Sequence, residues 1–126
     1  MPAQSANPRS PKILIVEDND LVAETIAEAL IDSGYEVVGP APTLSSGLEL
    51  ASDSDLDGAL LDVDLAGRYC FPIATILAQR NVPFLFLTGY HDPSVIPPEM
   101  RSASRLTKPF HLADLGRVTA KAFGAR

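Results

Sequence analysis

Lys12-Ile13-Leu14-Ile15-Val16-Glu17-Asp18-Asn19-Asp20 decides the fold. Five residues of a short, largely β-branched apolar run end abruptly in acids, the pattern of a buried strand leaving the core. The acids then begin a helix, because Val22, Ile26, Ala29 and Leu30 recur at helical spacing and Gly34 is placed to end it. Outward from this stretch the alternation repeats. Tyr35 to Val38 reads as a second strand broken by Gly39-Pro40-Ala41-Pro42, and Leu44, Leu48 and Ala51 mark a second helix. Gly58 to Asp62 is a third strand, Asp64 to Gly67 a turn, and Ile73, Ile76 and Leu77 line a third helix. Phe84-Leu85-Phe86-Leu87-Thr88 is the clearest strand of all. The prolines between Asp92 and Pro98 allow only a short, late or irregular helix after it. Arg105 to Thr107 is a fifth strand, and Leu112, Leu115, Val118 and Ala122 give the last helix its apolar face. Strands apolar enough to be covered on both faces, alternating with helices, predict an α/β domain built on a doubly wound, five-stranded parallel sheet.

Composition agrees and excludes several functions. A chain of 126 residues, 46% hydrophobic and 21% charged, suits one globular core. No apolar run approaches the ~20 residues of a membrane span. Residues 1–11 hold three prolines and no apolar core segment, which predicts a flexible tail and a cytoplasmic address; the domain is expected over 12–123, with a second short tail at 124–126. A net charge of −6 disfavours nucleic acid and anionic membrane surfaces as partners. The single cysteine, Cys70, excludes an internal disulfide and a Cys-rich zinc site, and reads as packing.

In doubly wound sheets, functional groups gather beyond the carboxyl ends of the strands. Those ends carry Glu17-Asp18, then Asp62 with Asp64, then Thr88, then Lys108-Pro109. Three carboxylates at one crevice need a counter-charge, since two unit charges at 4 Å interact by roughly 4 kcal/mol at an effective dielectric near 20. Oxygen ligands without paired histidines or thiolates favour Mg²⁺ or Mn²⁺. A carboxylate beside such a cation is a competent nucleophile toward phosphorus when an ammonium and a hydroxyl hold the remaining oxygens. Asp62 suits the nucleophile, Asp18 the metal, Glu17 a water-mediated hold on it, and Lys108 and Thr88 the phosphoryl oxygens.

These residues resemble those of response-regulator receiver domains. Glu17-Asp18, Leu60-Leu61-Asp62, Thr88-Gly89 and Lys108-Pro109-Phe110 fall in that family's order and spacing, over about residues 12 to 123. The resemblance implies a flavodoxin-like sheet of strand order 2-1-3-4-5 with helices on both faces. It implies Asp62 as phosphoacceptor, Glu17 and Asp18 as metal carboxylates, the backbone carbonyl of Asp64 as a further metal ligand, and Thr88 and Lys108 as switch hydroxyl and phosphoryl-binding amine. Phe86-Leu87-Thr88-Gly89-Tyr90, with Asp62-Val63-Asp64-Leu65-Ala66-Gly67, is similar to a stand-alone subgroup of the family. That implies a Mg²⁺-dependent switch without an output domain, phosphorylated by a sensor histidine kinase or phosphotransfer protein, acting on a target protein or draining a kinase. One departure is plain. Where most receivers place an inward-swinging tyrosine or phenylalanine, three residues before the lysine, this chain has Arg105.

Plainer readings compete. Glu17-Asp18 alone would be an acidic helix start, Asp62 and Thr88 turn residues, and Lys108 a solvated lysine. Tyr90 either shapes access to the acceptor or packs, His91 reads as a solvent-facing loop residue, and His111 as the start of the last helix. The rival enzyme is a haloacid-dehalogenase-like phosphatase with Asp62 as nucleophile and Asp64 as general acid. Against it stand the missing room for a cap and an acidic pair that precedes the nucleophile.

Overall fold

Residues that alternate along a strand point to opposite faces, so a strand apolar at every position must be covered twice. A computed structural model, which describes residues 10–89 and 93–124, meets that demand. Its elements are β1 (Lys12–Val16), α1 (Asp20–Asp32), β2 (Glu36–Ala41), α2 (Leu44–Asp53) and β3 (Gly58–Asp62), then a small hairpin of β4 (Asp64–Leu65) and β5 (Arg68–Tyr69). There follow α3 (Phe71–Gln79), β6 (Phe84–Thr88), two 3₁₀ turns at Pro93–Val95 and Pro98–Met100, β7 (Ser104–Thr107) and α4 (Leu112–Phe123). The main sheet is parallel with order β2-β1-β3-β6-β7, as the family resemblance implies. Residues 1–9 of the expected 1–11 tail, Tyr90, His91, Asp92 and residues 125–126 lie outside the described residues.

The period-2 alternation divides the core into two layers. Leu14, Val16, Ala59, Leu61 and Phe86 pack with Ala51 of α2 and Ile73, Ala74 and Leu77 of α3. Ile13, Ile15, Leu60, Leu85, Leu87 and Leu106 pack with Ile26 and Leu30 of α1 and Leu115 of α4. Local signals fix the helix ends. The Asn19 side chain accepts a hydrogen bond from the Val22 amide at 3.1 Å, and Thr43 and Ser46 form a capping box at α2. Gly34, at φ 94°, takes the left-handed conformation that ends α1.

Four sequence expectations shift. β2 does not break at Gly39-Pro40 but runs to Ala41, with an irregularity between the pairs Leu14–Val38 and Val16–Ala41. It is an edge strand, where a proline removes no needed ladder bond and a bulge is tolerated. Tyr35 lies just ahead of it, buried, and its hydroxyl donates to the Gly124 carbonyl at 2.6 Å. The turn after Asp62 is the tip of a hairpin, with Ala66 and Gly67 both at positive φ. On α4 the buried positions are Leu115 and Thr119, while Leu112 is 54% exposed. Between β6 and β7 the helical segments among the described residues are two 3₁₀ turns, in keeping with the prolines, with Ile96 buried in the core.

Gly58 opens β3 where the ring of Phe123 closes the bottom of the sheet, and a Cβ built there would lie 2.4 Å from Phe123 Cδ1. Gly58→Ala is therefore expected to destabilise the domain by about 1–3 kcal/mol through overpacking. Adding Phe123→Leu should restore part of that loss in urea unfolding; strict additivity of the two changes would refute the clash.

Candidate functional site

The strands bring the acids together because β1 and β3 are hydrogen-bonded neighbours in parallel register, Val16 opposite Leu61. One residue further along each strand are Glu17 and Asp62. Ligand oxygens of Glu17, Asp18 and Asp62 all lie within 4.8 Å of one another. Glu17 is 1% exposed and Asp62 6%, whereas Asp18 faces solvent. β7 continues into Lys108, whose backbone amide donates to the Thr88 carbonyl at 2.8 Å. That bond carries the β6–β7 ladder one step past the sheet and delivers the lysine to the acids. Thr88 closes β6, 7% exposed, opposite Thr107.

Lys108 reaches both buried acids. Its Nζ lies 2.6 Å from Glu17 Oε1 and 3.4 Å from Asp62 Oδ2. Glu17 Oε2 in turn accepts the Asn19 amide at 3.1 Å. Glu17 is thus more than the distant metal holder expected from the sequence: it is the lysine's nearest partner and an anchor for the α1 entry. Nothing local could have revealed this contact, which joins residues 91 apart.

One ammonium does not balance the carboxylates. Burial, then the charge of Glu17, raises the Asp62 carboxyl from its usual 3.8 to about 8, although Lys108 pulls the other way. Burial by itself depresses the Lys108 ammonium, but its hydrogen bond to Glu17 and the charges of Asp62 and Glu17 outweigh that and hold it above the ordinary lysine value. A hard divalent cation fits this oxygen-only, over-negative donor set. Cys70 is buried ahead of α3, and its thiol is pushed up first by burial and then by Asp62. That keeps it a packing residue.

The other expected positions separate. Asp64 does not join the acids through its carboxylate, because Oδ1 accepts the Gly67 amide at 2.7 Å inside the hairpin. Arg105 is exposed on β7 opposite Phe86. His111 is the N-cap of α4.

Residues 13–119 match the response regulator receiver domain family. The chain belongs to that family. Receiver domains serve two-component signalling and bind Mg²⁺ in their active site. The transcriptional regulatory protein PdtaR of Mycobacterium tuberculosis is 31% identical over 116 residues, covering 90% of this chain and 56% of that protein. The phyllosphere-induced regulator PhyR of Methylorubrum extorquens is 31% identical over 115 residues, covering 88% of this chain and 43% of that protein. This receiver domain thus spans about half the length of these curated relatives. The solution structure of SdrG from Sphingomonas melonis Fr1 superposes with a TM-score of 0.77 at 32% identity, over 90% of this chain and 97% of that one. The phosphatase alternative is not supported: the family matched is the receiver family, and Asp64, its required general acid, is tied into the hairpin. Among the described residues, no helix is long and apolar enough to cross a membrane.

The raised Asp62 value sets a pH dependence in metal-free protein. Between the unfolded 3.8 and the folded value of about 8, the folded state holds a proton that the unfolded chain has lost. Stability should therefore fall as pH rises through that window, with the penalty complete above it. Asp62→Asn should flatten the profile and gain at least about 1.4 kcal/mol in urea at pH 9, the equivalent of one pKa unit. Mg²⁺ at ten times its dissociation constant should add about 1.4 kcal/mol to wild type at neutral pH, and almost nothing to Asp18→Asn. A flat wild-type profile, or an intact Mg²⁺ increment in Asp18→Asn, would remove the charge-cluster account.

Proposed function

We propose that this receiver domain accepts a phosphoryl group on Asp62 from a phosphohistidine of a sensor kinase or phosphotransfer protein, in a Mg²⁺-dependent reaction. The observation that carries the reading is a buried carboxylate at the end of the central strand, flanked by two acids and 3.4 Å from a lysine. An Asp62 oxygen attacks phosphorus as the P–N bond to the donor imidazole breaks, and the imidazole leaves with the bonding pair and takes up a proton. Lys108 shifts its charge from Glu17 toward a phosphoryl oxygen, and the Thr88 hydroxyl donates to another. Asp18, Asp62, the Asp64 carbonyl and, through water, Glu17 would hold the cation. Bound there, Mg²⁺ would supply charge neutralisation for the carboxylates and for the oxygens of the incoming group. The domain then acts in the cytoplasm through protein contacts, on a target or by draining a kinase. It is a switch that loses its phosphoryl group slowly, not a turnover enzyme.

Acetyl phosphate with Mg²⁺ should label wild type and not Asp62→Asn. Peptide mapping that found the acyl phosphate on Asp64 would refute the assignment.

Arg105 bears on how the phosphorylated state is read. An exposed guanidinium gains no hydrophobic burial by turning inward, so the Thr88–phosphoryl contact is expected to act on the connection that follows it. That connection includes Tyr90 and the 3₁₀ turns. Beryllofluoride should shift amide resonances most between Gly89 and Met100. A dominant response at Leu106 and α4 would sink this route.

A further inference from the structure

The hairpin of β4 and β5 stands against the start of α2, and between them lies a groove of about 520 Å³. Pro42, Leu44 and Leu48 line one side, and Leu65, Ala66 and Arg68 the other. Leu44 and Leu48 are half-buried against the core, so the floor is apolar. The groove is distinct from the phosphoryl cleft. Its leucines belong to the layer of α2 and α3, across the sheet from α1 and α4.

The hairpin wall is formed in advance. At its base the Cys70 amide donates to the Val63 carbonyl at 3.0 Å, and at its tip the Gly67 amide donates to Asp64 Oδ1 at 2.7 Å. A wall that is ordered before its ligand arrives loses less freedom on binding. The tip also carries strain. Ala66 sits at φ 54°, a left-handed conformation that is costly for a residue with a Cβ. Turn formation alone would favour glycine or asparagine there, whereas alanine adds apolar surface to the groove.

Charge decides the occupant. Arg68 is the one charged group among the described lining residues, it is exposed, and it makes no ion pair with any described residue. α2 begins at the groove, and its N-terminal end adds potential of the same sign. Apolar anchors beside one charge are a pattern by which a groove reads a peptide. The chain's own first nine residues do not supply the complement, since they hold Arg9 and no acid.

We propose that this groove docks a peptide segment of another protein, in which apolar side chains seat against Pro42, Leu44 and Leu48 and a carboxylate pairs with Arg68. The seat lies off the cleft, so it goes beyond the phosphoacceptor reading and stands whether or not Asp62 carries a phosphoryl group. The domain can then be held by one protein while its cleft is served by another.

The test pans a random-peptide phage library on the immobilised full chain and synthesises the most enriched sequence. Enriched sequences should pair Asp or Glu with Leu, Ile or Phe, and the free peptide should shift amide resonances most at 43–48 and 65–69. Arg68→Glu should weaken its binding about ten-fold or more, and added salt should weaken it too. Arg105→Glu, exposed on β7 and outside the groove, should leave binding within about two-fold of wild type. Arg68→Glu should in turn bind the same peptide with its acid changed to lysine about ten-fold more tightly than wild type does. No enrichment, enrichment of basic sequences, equal binding to wild type and Arg68→Glu, no gain on exchanging the charges, or shifts centred on another face would each overturn the proposal. So would an Arg68-dependent dimer in sedimentation, which would make a second copy of this chain the occupant.

Discussion

The structure depends on keeping like charges together at the end of a hydrophobic sheet. Glu17 and Asp62 are almost fully buried, and their common partner is the Lys108 ammonium. A buried pair of this kind contributes little to stability by itself, because desolvation offsets most of the Coulomb attraction. Its consequence is specificity. The lysine reaches the acids only when β7 is in register beside β6, and the acids meet only when β1 lies beside β3. The charge cluster therefore reports correct strand order, while the apolar layers on both faces supply the driving force.

The imbalance left over is what equips the site for work. With Lys108 as its counter-charge among the described residues, Asp62 stays well above the ordinary carboxylate range. A site held in that condition responds strongly to any added positive charge and to a new set of anionic oxygens. Lys108 has two carboxylate partners at unequal distances, so it can exchange between them without leaving the cleft. Glu17 links that exchange to the entry of α1 through the Asn19 amide. Local electrostatics at the strand ends thus gain a path to the surface that needs no buried aromatic on β7.

Elements whose signal is local were legible in the sequence. The strands β1, β3 and β6 announce themselves as apolar runs between polar breaks, α1 and α3 by helical spacing, and the site by acids, a hydroxyl and a lysine at successive strand ends. Elements that depend on neighbours were not. Gly39-Pro40 looks like a break until β2 is seen to be an edge strand, and the hairpin of β4 and β5 is too short to carry a pattern. Leu112 fits the apolar stripe of α4, yet it is the helix's first residue and is left exposed.

By itself, then, the sequence determined the alternation of strand and helix, the two-sided core and which residues stand at the strand ends as candidates for the proposed phosphoryl chemistry, because each is written in period, polarity and order along the chain. The tertiary structure alone decided which of those residues touch. That Lys108 sits nearest Glu17, that Asp64 turns its carboxylate to Gly67, and that Leu21 and Leu112 share a groove are all matters of distance between segments far apart or turned back on themselves. Local propensity has no term for such distances; they follow from strand register and from how α1 and α4 lie against the same face of the sheet.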